Sequence, residues 1–331
     1  MSRPLALAIV LLLGATVLSL NLGSFRITPG ELLRTATGRG DANQELVLYR
    51  IRLPRLAMAV LVGVGLATAG AVLQGVTRNS LADPGILGLT AGAGLAVILL
   101  IYLQERGLAA PPGMRPVVAF AGAGLAAAVT FLAARRRGVV LPSQLLLAGI
   151  AVNAGLSAVT LVLSMRLDRK LYDQAVTWLA GTLVGRDWQQ VLALLPWLLV
   201  LLPILWARSR PLDILALGDG AATGLGVDVR GERAWLLLAA VGLAGSSVAL
   251  AGGIGFVGLL GPHLARRLVG PQHGRMLPLA ACLGALLVVT ADIVARNLLR
   301  PTELPVGVVV GAIGAPYFLY LLARAGREGE V

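Results

Sequence analysis

Nine stretches of this chain, 4–25, 56–77, 84–104, 116–134, 138–165, 188–207, 234–265, 276–291 and 304–323, contain no Asp, Glu, Lys or Arg. A helix crosses the ~30 Å hydrocarbon core of a bilayer with about 20 apolar residues, at ~1.5 Å per residue. Most of the runs meet that length. The run 234–265 has 32 residues, which is too long for one span. It contains Gly252-Gly253 and Gly255, so it divides into a full helix and a shorter one through Pro262. The short run before Asp292 continues to about Ala295 with Asp292 near the interface. Charged residues make up 13% of the chain, against about 25% in soluble domains. The expected fold is an all-α polytopic membrane protein of about ten transmembrane helices, built as one domain over 1–331.

The stretch Gly65–Gly94, GLATAGAVLQGVTRNSLADPGILGLTAGAG, reads as a membrane hairpin. Its two apolar arms are crowded with Gly and Ala, which lets helix backbones approach closely in lipid. The break between them, Arg78 to Gly85, carries an Arg, an Asp and a Pro that cannot extend the preceding helix.

The net charge of +12 and the pI near 11.3 do not point to nucleic acid, because the basic residues are scattered between apolar runs and form no stripe. Cys282 is the single cysteine, which excludes an internal disulfide and a CxxC redox pair. Lys170 is the only lysine and no GxxxxGK[ST] occurs. The chain therefore carries no P-loop of its own, and any ATP hydrolysis belongs to a partner. No cofactor and no metal site is expected.

The 22-residue first run exceeds the ~7–15 apolar residues of a signal peptide and reads as a retained helix. In the connection 26–54, Thr28-Pro29-Gly30-Glu31 marks a helix start. Residues 170–187, with Tyr172, Trp178 and Trp188 nearby, have the spacing of an interfacial helix with an aromatic anchor. The polar interval 208–233 holds Leu212, Leu215, Ala216 and Leu225, an apolar face on short helices broken at glycines. Such a face outside the membrane fits a protein-docking platform.

With ten spans, the side bearing both ends collects fourteen of the 28 basic residues, so the positive-inside rule gives no orientation. The triplet Arg135–Arg137 and the pair Arg266-Arg267 lean towards that side being cytoplasmic. Ala67, Ala69, Gly70 and Gly88 fall in register with Ala249, Ala251, Gly252 and Gly270. This is a weak internal repeat, inverted in the membrane because the second and seventh spans are an odd number of crossings apart.

Four blocks carry a resemblance. They are RIRLPRLAMAVLVGVGLATAGAVLQGVTRNSLADPGILGLTAGAG at 50–94, PLDILALGDGAATGLGV at 211–227, GGIGFVGLLGPHLARRLVG at 252–270 and ADIVARNLLRPTELPVGVVVGAIGAPYFLYLL at 291–322. In this order they resemble the FecCD-type permeases, membrane subunits of ABC importers for ferric siderophores, haem and vitamin B12. The resemblance implies a ten-helix permease that pairs with a second permease copy or paralogue. Its other partners would be two cytoplasmic ATP-binding subunits and an extracytoplasmic substrate-binding protein. It places the chain in the cytoplasmic membrane with both termini cytoplasmic.

By the same resemblance Arg52, Arg55 and Arg296 match arginines that meet acidic residues of the binding protein. Asn79 and Leu81, with Pro142 and Ser143, match a cytoplasmic gate. Leu215, Ala216, Leu217, Gly218 and Asp219 fall in the segment matching the helices seated in the ATPase. The sequence departs from the family's RNPLADP at Ser80, where proline is usual, which would loosen the first gate loop. It departs again at Pro142, where a polar gate residue is common.

Other features read from the residues alone. Asp292 and Arg296, four apart on a helix, can pair with each other. Ion-driven transporters place acids or His within spans, and this chain has few. Gly88/Gly92, Gly181/Gly185 and Gly307/Gly311 are GxxxG pairs suited to close crossings. Gln74, Thr90, Asn153 and Ser157 are the weakly polar residues expected on a smooth pore wall. The reading is an iron–siderophore permease. Haem and cobalamin permeases, and from a different class an ion-coupled secondary transporter, are the alternatives.

Overall fold

The computed structural model describes residues 3–22, 28–111, 113–136, 139–140 and 142–328. Arg137, part of the basic triplet, and the Pro142 side chain lie outside the described residues. The helices are, in chain order, α1 Arg3–Asn21, α2 Pro29–Ala36, α3 Ala42–Glu45, α4 Leu53–Thr77, α5 Leu89–Glu105, α6 Met114–Ala133, α7 Pro142–Ser164, α8 Arg169–Leu179, α9 Trp188–Ala207, α10 Ser209–Ala216, α11 Asp219–Gly224, α12 Val229–Ala251, α13 Val257–Val269, α14 His273–Asn297 and α15 Val306–Glu328. A π-helical turn, Leu46–Arg52, joins α3 to α4, and a two-residue hairpin pairs Arg135–Arg136 with Val139–Val140.

Among the described residues, seven helices are long and apolar enough to cross a membrane, and Leu89–Glu105 and Val306–Tyr320 are shorter apolar helices. The 13-residue α13 brings the bundle to about ten crossings, as expected. The long run 234–265 breaks where its glycines predict. Helix α12 ends at Ala251, Gly252 has φ +76°, and α13 begins only at Val257.

Local chemistry sets the starts of the short helices. The Thr28 side chain accepts from the Glu31 amide while the Glu31 carboxylate accepts from the Thr28 amide at 2.7 Å. This reciprocal cap opens α2 where the sequence places it. Asp168 and Asp187 accept from the third amides of α8 and α9, so the stretch 170–187 holds a short helix followed by a turn.

The core is centred on α4, nearly all of which is buried beneath α12, α13 and α14. Its glycines are there for contact. A Cβ on Gly70 would lie 2.0 Å from the Gly258 carbonyl oxygen of α13. Backbones packed this closely gain van der Waals energy that lipid cannot supply to larger side chains. By contrast α1 and α9 turn Leu and Val outwards: Leu7, Val10, Leu13, Leu192, Leu199 and Val200 are exposed, as lipid-facing helices require.

Candidate functional site

Residues 78–88 and 252–256 are two breaks between helices that close on each other inside the bundle. Arg78 and Phe256 have φ of 53° and 65°. They are the only non-glycine residues with positive φ among the described residues, a costly conformation that surrounding contacts must hold. A cavity of about 300 Å³ lies between the breaks, bounded by Leu81, Asp83, Phe256, Leu259, Asn153 of α7 and Phe318 of α15. A second, of about 240 Å³, adjoins it beside Asp83, Thr90, Val248, Gly253 and Gly258.

Loop 78–83 is pinned at both ends. The Asn79 side chain accepts from the Leu81 amide at 2.9 Å, and the Ala82 amide reaches the Asn79 carbonyl at 3.1 Å, closing a turn with Ser80 at its second position. The turn closes without the family's proline. Gln74 donates to the Ala82 and Gly258 carbonyls, each at 3.3 Å, and accepts from Arg266 at 3.2 Å. Gln74 is therefore not on an open pore wall as expected. It is 1% exposed, and its amide is spent joining the two breaks, because a buried amide must find partners. Asn153 and Thr90 do border the cavities, and Ser157 is exposed on α7. Ser143 is exposed in the first turn of α7, whose first residue is Pro142.

At the same end of the bundle lie α10 and α11. The apolar face expected from Leu212, Leu215, Ala216 and Leu225 is divided by the fold. Leu212 and Leu215 are buried against the bundle, whereas Ala216, Leu217 and Leu225 are exposed. Gly218, φ +110°, separates α10 from α11, and the exposed Leu217 and Leu225 flank α11 at its two ends. Asp213 Oδ1 accepts from the His273 amide at 2.9 Å and lies 2.6 Å from its Nδ1, fastening α10 to the start of α14. Asp219, first residue of α11, receives Arg233 through two nitrogens at 2.7 and 3.2 Å and Arg78 at 3.0 Å. The hydrogen bonds from Arg233, and then the charges of both arginines, hold the Asp219 carboxyl below its ordinary range.

The opposite end carries the three arginines expected to face a binding protein. They are not at the surface in this structure: Arg52, Arg55 and Arg296 are 5%, 8% and 7% exposed. Arg55 pairs with Asp292 at 2.9 Å and Glu303 at 2.8 Å, and Arg296 pairs with Asp292 at 3.1 Å. Arg296 also donates to the Ser19 hydroxyl at 2.7 Å and Arg52 to the Leu20 carbonyl. The cations thus cap the carbonyl end of α1. The Asp292–Arg296 pair expected from spacing is present, but it is one side of a larger cluster. Asp213, His273, Arg78, Arg233 and Glu303 were not singled out from sequence: most of their partnerships join segments 60 to 248 positions apart, and Arg233 meets Asp219 across 14 positions, beyond the reach of one helical turn.

Comparison with known proteins places this architecture. The FecCD transport family model matches residues 11–324. The chain belongs to the FecCD transport family. It is 46% identical over 326 residues to the iron(3+)-hydroxamate import system permease protein FhuG of Bacillus subtilis (strain 168), covering 97% of this chain and 96% of that protein. It is 42% identical over 317 residues to the Fe(3+) dicitrate transport system permease protein FecD of Escherichia coli (strain K12), covering 95% and 96%. A solved inward-facing metal-chelate-type ABC transporter superposes with a TM-score of 0.85 at 30% identity, covering 97% of this chain and 98% of the other. This FecCD protein is accordingly a multi-pass membrane permease of an ABC importer. It is a non-enzymatic subunit of a kind whose ATPase activity lies in partner subunits.

Proposed function

We propose that this permease passes a ferric siderophore across the cytoplasmic membrane, driven by two partner ATPases, with both its termini cytoplasmic. The observation that carries the substrate class is the 46% identity, along nearly the whole chain, to an iron(3+)-hydroxamate permease. A cobalamin permease of Halobacterium salinarum (strain ATCC 700922 / JCM 11081 / NRC-1) matches at 42% over 287 residues but covers 75% of that protein, which ranks cobalamin second.

The geometry supports a paired permease. Helix α7 turns small and weakly polar residues outwards, Ala154, Gly155, Ser157 and Ala158, and α15 does the same with Ala312 and Ala315. Large apolar residues such as Leu147, Leu161 and Leu319 are exposed on the same two helices, so the small residues form stretches within an otherwise apolar surface. A bulky, polar chelate needs a wall of this small-residue kind, with a second copy or a paralogue supplying the other half. Asn79, Leu81, Pro142 and Ser143 then form the cytoplasmic constriction. Exposed Leu217 and Leu225 form the ATPase contact, and nucleotide-driven closure of the ATPases switches the bundle between two packings.

The buried state of Arg52, Arg55 and Arg296 recasts their part in binding-protein docking. They hold the outer ends of α1, α4 and α14 in the shape that the binding protein meets. The test is uptake into vesicles by the complete complex, using radiolabelled ferric hydroxamate, ferric citrate and cobalamin. ATP-dependent accumulation of the ferric hydroxamate is expected. Accumulation of cobalamin alone would overturn the substrate, and uphill uptake by the permease without ATPases would overturn the mechanism.

A further inference from the structure

We propose that Asp219 is a positioning residue that ties the α10–α11 platform to loop 78–83, so that movement of the platform displaces the loop that walls the central cavity. The inference rests on the reading of α10–α11 as the ATPase contact and assigns that segment an inward-facing half.

The platform has two faces with different chemistry. Leu217 and Leu225 are 68% and 62% exposed and offer an apolar surface to a partner. Asp219 turns the other way, into a cleft between Arg78 and Arg233. Arg233 is 5% exposed and grips the carboxylate through two nitrogens, the geometry that gives guanidinium–carboxylate pairs their directional stiffness. That grip fixes Asp219 to the base of α12.

The remaining bond runs to the loop. Arg78 Nη2 lies 3.0 Å from Asp219 Oδ1, and a Cβ on Gly218 would come 3.3 Å from Arg78 Nη1. Arg78 is also the left-handed residue that ends α4 and starts the loop. Its side chain therefore anchors the one strained backbone position from which Asn79, Ser80 and Leu81 depart. Leu81, three residues on, borders the cavity. A displacement of α11 has a direct path along Asp219, Arg78 and the tight turn to Leu81, with hydrogen bonds or peptide units at every step.

Magnitudes favour a mechanical role over a structural one. The Arg78–Asp219 pair is 37% and 42% exposed at its side chains, and such solvent-screened pairs add little to stability. Asp213–His273, by comparison, joins α10 to α14. Among the described residues, the Arg78–Asp219 pair joins the platform to loop 78–83, whose Leu81 borders the cavity.

The experiment uses the whole complex of permease, ATPases and binding protein in vesicles, with radiolabelled ferric hydroxamate as the probe. In Arg78→Ala, ATPase subunits should co-purify as in the wild type and ATP should still be hydrolysed. Uptake per ATP hydrolysed should fall by about fivefold or more, the size of an ordinary coupling effect. Asp219→Asn should lower the same ratio, and Arg78→Lys should recover most of it because an ammonium still reaches the carboxylate. A ratio within about twofold of wild type in both Arg78→Ala and Asp219→Asn overturns the proposal. Loss of the ATPases from both variants overturns it as well, since the pair would then be a docking or folding element. If the wild-type complex itself takes up the chelate without ATP, the ABC reading fails instead, a result that no Arg78 variant can mimic.

Discussion

Arg55 and Asp292 meet at 2.9 Å across a separation of 237 positions in the chain, with side chains 9% and 2% exposed. This contact joins α4 to α14 at the end of the bundle where α1 is capped by the neighbouring arginines. Removing one partner of a buried ion pair leaves the other charge unpaired, which typically costs about 3–5 kcal/mol. Asp292→Ala leaves both Arg55 and Arg296 short of their shared acid. It should lower the unfolding temperature of the detergent-solubilised permease far more than Arg50→Ala, which alters an exposed arginine of the π-helical turn before α4. Equal unfolding temperatures for the two variants would remove the cluster from the list of structural elements.

A second prediction concerns α4 and α13. Gly70→Ala places a methyl group 2.0 Å from the Gly258 carbonyl oxygen and 2.5 Å from its carbon. The obstacle is backbone, so no side chain can rotate away, and overpacking of this kind costs about 1–3 kcal/mol or more. Gly14→Ala on α1 is the control, because nothing lies within 4 Å of the added atom and alanine is the better helix former by about 1 kcal/mol. Thermal unfolding in detergent should separate the two in opposite directions. If Gly70→Ala is as stable as the wild type, the α4–α13 crossing is looser than described.

The bundle was legible in the sequence to the extent that its signals were local. Charge-free runs marked the spans, the glycines at 252–255 marked the break in the long run, and Thr28 with Glu31 marked the cap of α2. Each of these depends on residues within one turn or one bilayer thickness of each other. The directions of side chains were less legible. Gln74 looks like a polar pore residue on a helix drawn alone, and only the approach of Gly258 from 184 positions away turns it into a buried clamp. Arg52, Arg55 and Arg296 carry the charge a docking surface needs, but their acids and carbonyl acceptors come from α1, α14 and the turn before α15. Leu212 and Leu217 are indistinguishable by type, and the way α10 lies on the bundle buries the first and leaves the second exposed.

Ser80 yields a third prediction. It occupies the second position of the turn closed between the Asn79 carbonyl and the Ala82 amide at 3.1 Å, a position where proline's fixed φ is favoured. The side chain is exposed, so nothing packs against it. Ser80→Pro should therefore raise stability by about 0.4–1 kcal/mol by restricting the unfolded chain, and it should leave transport intact. A fall in unfolding temperature would mean that the loop uses a backbone conformation or an amide that proline cannot supply.

The platform gives the last prediction, which separates its inner face from its outer one. Leu217 is 68% exposed, so Leu217→Asp exchanges one solvated side chain for another and should change stability by no more than about 0.5 kcal/mol. Leu212 is fully buried, and Leu212→Ala should cost about 2–5 kcal/mol through the cavity it leaves. The functional readout reverses this order. A carboxylate buried in an apolar contact with no partner is strongly unfavourable, so Leu217→Asp should abolish co-purification of the ATPase subunits while the permease elutes as a folded species. Leu212→Ala should weaken the fold yet retain whatever ATPase binding its folded fraction supports. Full retention of the ATPases by Leu217→Asp would show that the partner docks elsewhere, since an exposed leucine beside Gly218 is the part of the platform least able to hide from it.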